Sequence, residues 1–262
     1  MTLPDTGIDL DGLLAHLDGV GLEELVATAE LQTRKDRKYV VPVTVLPQLV
    51  DAIADEGRVL TIGDRTRFRY RSVYFDTPRL DSYLDAARRR PSRFKVRTRL
   101  YLDSDLCMLE VKTRDRRGRT VKHREACDPA EEGGLSAFGR AVVGSIDATR
   151  PFTSELVPTL TTNYHRTTLL VGSGEAARAT IDTSLYWQVD SSDLGLGPFA
   201  LIETKTTGKP CAVDRLLWQT GHRTTTISKY CTGLALARPE LPANKWNRVL
   251  RHQLGWVPAH GR

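Results

Sequence analysis

An α+β fold built on antiparallel strands, with one cationic sheet face, follows from three features of the 262-residue chain. Short segments alternate apolar and polar residues with the two-residue period of a strand, and turn signals separate them. Helical spacing is confined to brief stretches before, between and after those segments. Basic residues are concentrated: positions 88–124 hold 14 Lys or Arg against 4 Asp or Glu, while the whole chain carries only +6. A block of that sign calls for an anionic partner or for solvent.

In chain order, residues 8–29 read as two short amphipathic helices split at Gly19-Val20-Gly21. Strands are expected near 33–41, 68–76, 93–102, 107–114, 119–125, 160–171, 178–187 and 199–206. Helical spacing recurs at 46–55, 81–89, 135–143, 213–217 and 228–237. Asp115-Arg116-Arg117-Gly118 predicts a hairpin over 107–125, and Ser173-Gly174-Glu175 predicts a second. After Pro239, the spacing of Trp246, Val249, Leu250 and Leu254 predicts a docked helix. The expected organisation is an N-terminal helical segment (1–29), one domain (30–238) and a C-terminal helical tail (239–262).

Several classes are excluded. No apolar run approaches the roughly 20 residues that span a bilayer, and the acidic N-terminus lacks a signal-peptide pattern. Cys107, Cys127, Cys211 and Cys231 show no CxxC spacing, which fits reduced thiols of a cytoplasmic protein rather than a disulfide framework. No HExxH or triad pattern surrounds the 6 histidines.

Alternation assigns the charges to faces. Arg93, Lys95, Arg97 and Arg99 share one face of their strand, with Phe94, Val96, Thr98 and Leu100 on the other. Glu110, Lys112 and Arg114 oppose Cys107, Leu109 and Val111; Lys122 and Arg124 pair, as do Arg166 with Tyr164, Arg178 with Asp182, and Glu203 with Lys205. Periodicity leaves two arrangements open. One is an antiparallel sheet with a wet face; the other is a closed barrel with a polar, cationic interior and helices outside. Glu110 reads as an ion-pair partner ahead of a metal ligand, and Asp76 as a turn cap before Pro78. Tyr39, Trp187 and Trp218 read as packing residues, and His123 and His165 fall opposite the basic faces. The basic faces carry few aromatics, which speaks against base stacking and hence against nucleic acid.

Nine segments in register resemble the VTC domain: RKDRKYVVP (34–42), VYFDTP (73–78), KVRTRLY (95–101), LEVKTR (109–114), VKHR (121–124), NYHRTTLL (163–170), RATIDTSL (178–185), LIETKTT (201–207) and SKY (228–230). This is the polyphosphate polymerase domain of the vacuolar transporter chaperone group, within the CYTH-like, triphosphate tunnel metalloenzyme superfamily. The chain is most similar to its stand-alone bacterial form. The resemblance implies an antiparallel eight-stranded β-barrel tunnel and transfer of the ATP γ-phosphate onto a growing polyphosphate chain, with a divalent cation, Mn²⁺ or Mg²⁺. By the same resemblance Lys38, Arg97, Arg99, Lys112, Lys122, Arg166, Arg178 and Lys229 are catalytic phosphate ligands. Lys95, Arg124, Lys205 and Ser228 bind substrate, and Glu203 is the metal ligand.

There are two kinds of departure. Thr226 stands where some eukaryotic members carry a lysine, and the positions of the hydrolytic branch's ExExK read Arg34, Asp36 and Lys38, so its two glutamates are absent. The expected partners are ATP with inorganic phosphate, pyrophosphate or polyphosphate, and a membrane protein that accepts the polymer is a further candidate. A triphosphate hydrolase and a non-catalytic polyanion-binding module are the competing readings.

Overall fold

The computed structural model describes residues 7–30, 35–172 and 176–257. Its elements in chain order begin with α1 (Leu10–Leu14), β1 (Asp18–Val20), α2 (Leu22–Glu30), β2 (Lys35–Pro42), α3 (Leu46–Asp51), β3 (Gly57–Leu60) and β4 (Arg67–Asp76). There follow α4 (Asp81–Ala87), β5 (Arg93–Tyr101), β6 (Leu106–Arg114), β7 (Thr120–Cys127), α5 (Ala137–Ser145) and β8 (Val157–Val171). The chain continues through β9 (Ala177–Val189), β10 (Ser192–Gly195), β11 (Phe199–Thr206), α6 (Ala212–Gln219), α7 (Lys229–Ala237) and α8 (Asn247–Gln253).

The expected strands correspond to the hydrogen-bonded order β2-β11-β9-β8-β4-β5-β6-β7. Among the described residues this order is an open path ending on β2 and β7, not a closed ring. Three short strands were not expected. Gly19-Val20 belongs to β1, which pairs in parallel with β3 through Asp18↔Arg58 and Val20↔Leu60, so the break between two helices is itself a strand. β10 pairs with β9. Strands of three or four residues are too short for alternation to reveal. The turn expected at Ser173-Gly174-Glu175 and the first two residues of the strand expected at 33–41 lie outside the described residues.

Three stretches make up each of two compact units. The first comprises Met1–Phe68, Tyr164–Leu185 and Gly195–Thr226, and the second Arg69–Asn163, Tyr186–Leu194 and Ile227–Arg262.

In the first unit, alternate residues Tyr39 and Val41 of β2 join Ala179 and Ile181 of β9 and Ala200 and Ile202 of β11 in one core. Leu10 and Leu14 of α1, Leu46 and Leu49 of α3, and Val213 and Leu217 of α6 cover it. Residues of the opposite parity on β2 and β11 are thereby left for the polar face. A buried charge pins α6 to the core: Asp214 accepts from Tyr39 Oη at 2.7 Å and Thr204 Oγ1 at 2.7 Å, and pairs with Arg37 at 3.4 Å. Burial, then the hydrogen bond to Asp214, pushes the Tyr39 hydroxyl pKa upward, so it stays a donor.

In the second unit, Val73 and Phe75 of β4, Phe94 and Val96 of β5, and Leu109 and Val111 of β6 pack against Val143 of α5 and Leu156. The β6–β7 hairpin closes at Gly118, whose φ of +82° suits glycine. There Asp115 Oδ1 and Oδ2 accept from Arg119 N and Nε at 2.9 and 2.7 Å. Asp76 caps as expected: its carboxylate accepts from the amides of Thr77 (2.8 Å), Ser82 (2.9 Å) and Tyr83 (2.9 Å), and from Tyr230 Oη at 2.5 Å. That web holds the turn in which Leu80 takes φ +60°, a left-handed conformation strained for leucine. No helix among the described residues is long and apolar enough to cross a membrane.

Candidate functional site

In the second unit the register of β5, β6 and β7 aligns the basic residues in two rows. Arg97, Glu110 and Arg124 are direct cross-strand partners, as are Lys95, Lys112 and Lys122. Glu110 is the anionic centre of the first row. It is buried, accepts from Arg97 Nε at 2.7 Å and Nη2 at 2.5 Å, and pairs with Lys122 Nζ at 2.6 Å. Arg99 and Arg124 stand farther off, at 3.9 and 3.8 Å.

Burial alone would raise the Glu110 pKa, but Arg97, Arg99 and Lys122 outweigh it and hold the carboxyl well below its usual range. Burial lowers the Lys122 pKa, while Glu110 works in the opposite direction. The second row sets three lysines abreast, with Lys122 neutralised by Glu110 of the first row.

Tyrosines support the arginines. Arg97 lies over the Tyr74 ring at 5.6 Å and donates to its hydroxyl at 2.9 Å. Arg99 lies over Tyr70 at 5.5 Å; Arg124 lies over Tyr101 at 5.7 Å and donates to its hydroxyl at 2.7 Å. These contacts fix guanidinium planes that would otherwise rotate freely. Alternation within one strand could not reveal them, because Tyr74 meets Arg97 only through the β4–β5 register. The expectation of few aromatics beside the cations is therefore corrected, although Tyr74 is buried and offers no free face to a base.

Ser228 caps α7, accepting from Cys231 N at 3.2 Å, and also accepts from Lys95 Nζ at 2.7 Å. Lys229 follows at the first turn, its carbonyl held by Trp187 Nε1 at 2.6 Å.

A separate group occupies the first unit. Lys38 of β2 and Glu203 of β11 are register partners and pair at 2.6 Å. Lys205, two residues along the same face, bonds Glu203 and reaches Asp36 at 3.3 Å. Arg178 is its cross-strand partner on β9. Arg166 grips Asp182 with two bonds, Nε at 2.6 Å and Nη2 at 2.8 Å, and lies over Tyr164 at 5.4 Å. Burial would raise the Glu203 pKa, yet Lys38 and Lys205 draw it well below the ordinary carboxylate value.

The expected site residues thus fall into two groups. Lys38, Arg166, Arg178, Glu203 and Lys205 belong to the first unit; Lys95, Arg97, Arg99, Lys112, Lys122, Arg124, Ser228 and Lys229 belong to the second. The sequence reading did not single out Tyr70, Tyr74 or Tyr101, and noted Asp36 only as a departure from the ExExK motif.

The VTC domain family matches residues 33–238. The chain belongs to the VTC domain family. No curated protein matches it. Among solved structures, the VTC domain is similar to a putative adenylyl cyclase from Hippeastrum described as having a dominant triphosphatase activity. The identity is 16%, coverage is 78% of this chain and 96% of that chain, and the TM-score is 0.48. A putative adenylate cyclase from Vibrio parahaemolyticus is similar at 14% identity, covering 72% and 87%, with a TM-score of 0.41. A protein from Pyrococcus horikoshii is similar at 14% identity, covering 73% and 92%, with a TM-score of 0.40.

The donor set of this VTC domain does not suit a resident divalent metal. No three His, Cys, Asp or Glu side chains gather into a metal-holding group among the described residues. Both oxygens of Glu203 are already engaged by Lys38 and Lys205. Two ammonium groups beside the one candidate carboxylate repel a cation, whereas hard divalent ions want several oxygen ligands.

Proposed function

We propose that this VTC domain is a polyphosphate polymerase that transfers the γ-phosphoryl group of ATP onto the end of a growing polyphosphate chain. The observation that carries this reading is the lysine row Lys95-Lys112-Lys122 beside tyrosine-braced Arg97, Arg99 and Arg124. Such a face is built for phosphate oxygens. The arginines present planar forks to them and the lysines mobile point charges. Lys38, Arg166, Arg178 and Lys205, with Ser228 and Lys229, are assigned to the same task. An enclosed eight-stranded tunnel is part of the proposal.

In the proposed step, a terminal phosphate oxygen of the primer forms a bond to the γ-phosphorus. The bond from that phosphorus to the β,γ-bridging oxygen breaks, and ADP departs. The attacking oxygen is already anionic, so no protein base is needed. The basic side chains stabilise charge as it shifts toward the leaving group. Glu110 and Glu203 keep neighbouring cations oriented. Mn²⁺ or Mg²⁺ enters with ATP, as part of the substrate, and the reduced thiols favour a cytoplasmic setting.

Incubation with ATP and Mn²⁺ tests the reading. Long phosphate polymers on a gel, lost in Arg97→Ala, support it. Orthophosphate release without polymer replaces it with triphosphate hydrolysis, and binding without turnover leaves a polyanion-binding module.

A further inference from the structure

Cys107 and Cys127 are 20 residues apart in sequence, yet they are direct partners at the open end of the β6–β7 hairpin. The Cys127 and Cys107 sulfurs lie 2.7 Å apart. Directly opposed residues of antiparallel strands have Cα atoms about 4.5–5.5 Å apart, within the roughly 4.4–6.8 Å that a disulfide spans. Both thiols are free; Cys107 is buried and Cys127 is partly exposed. Among the described residues, β6 is the one strand partner of β7, which carries Lys122 and Arg124. The hairpin turn ties β7 at its start, and the cysteine pair lies at its end.

We propose that Cys107 and Cys127 form a reversible cross-strand disulfide site, oxidised by a peroxide, that staples β7 to β6. In the first step Cys127, the more accessible sulfur, attacks a peroxide oxygen as its thiolate. An S–O bond forms, the O–O bond breaks, and the departing hydroxide takes up a proton as water. In the second step the Cys107 thiolate attacks the sulfenic sulfur. An S–S bond forms, the S–O bond breaks and a second water leaves, so two thiols are oxidised and one peroxide is reduced. A thiol reductant reverses the bond by exchange. Burial raises the pKa of both thiols, more strongly at Cys107, so little thiolate is present at neutral pH and the pair oxidises slowly.

The test treats the full chain with hydrogen peroxide, blocks remaining thiols in denaturant and maps the peptides by mass. The expected result is loss of two of the four reactive thiols. A Cys107–Cys127 cross-linked peptide should appear, about 2 Da lighter than its reduced parts and released by dithiothreitol. Hydrogen exchange of β7 amides should slow several-fold in the oxidised protein. Four thiols still reactive, a different cross-linked pair, over-oxidation of Cys127 without a cross-link, or unchanged exchange in β7 would each overturn the proposal. In Cys127→Ser, Cys107 should stay reduced under the same treatment; oxidation of Cys107 into another bridge counts against it. Mapping of the unsubstituted chain stands whether or not that variant folds.

Discussion

Glu110 shows how one residue sets the character of a basic surface. Its carboxylate is buried beneath Arg97 and Lys122, so removing its charge leaves cations facing each other across β5, β6 and β7. Glu110→Gln is expected to cost about 3 kcal/mol, the low end for a broken buried pair because Lys122 is half-exposed. A urea midpoint measured at neutral pH checks this, and an unchanged midpoint refutes it. The pH dependence has a definite sign. The folded carboxyl titrates below its unfolded value, so its stabilisation is fully present above the ordinary range near ~4.3 and disappears as pH falls through the folded value. The midpoint should therefore drop on acidification below about pH 4, and drop less steeply in Glu110→Gln. Glu203, shifted in the same direction by Lys38 and Lys205, supplies the remaining slope.

At the level of elements, α7 is the most demanding. Gly233 lies so close to Trp187 that a Cβ there would stand 2.2 Å from Cδ1 of the ring. Gly233→Ala should destabilise the chain by about 1–3 kcal/mol through overpacking, read as a lowered thermal midpoint; an unchanged midpoint would mean the indole yields freely. At the helix start, Ser228→Ala removes both the cap and the acceptor of Lys95, costing about 1 kcal/mol and weakening tripolyphosphate binding in a titration. Ser228→Thr should restore both, and failure of the rescue would argue against the cap. The helix itself is legible from the spacing over 228–237, but its contact with Trp187 is not, since tryptophan and glycine are far apart in sequence. Phe94 and Val96 likewise announce the buried face of β5 by alternation, whereas the β4 tyrosines beneath its arginines depend on strand register.

For the molecule as a whole, the proposed role predicts strongly electrostatic recognition. Affinity for tripolyphosphate should fall about tenfold or more between 50 and 500 mM salt, as exposed charges are screened. Salt-independent binding would point to apolar recognition instead. Arg97→Ala and Arg166→Ala, in different units, should each reduce turnover by about 100-fold. Near-normal rates in one of them would confine the proposed chemistry to the other unit's residues.

The eight longer strands and their apolar faces were readable in the chain because a period of two is a local property: Tyr39 and Val41, or Leu109 and Val111, declare it within a few residues. So was the excess of cations on one side of β5. The partners of those cations were not readable. That Glu110 neutralises Arg97, that Lys95, Lys112 and Lys122 stand abreast, that Glu203 is held between two lysines, and that two distant cysteines meet all depend on register between strands. Register is set by the packing of whole faces and by turn geometry, so it exists only once the strands have come together.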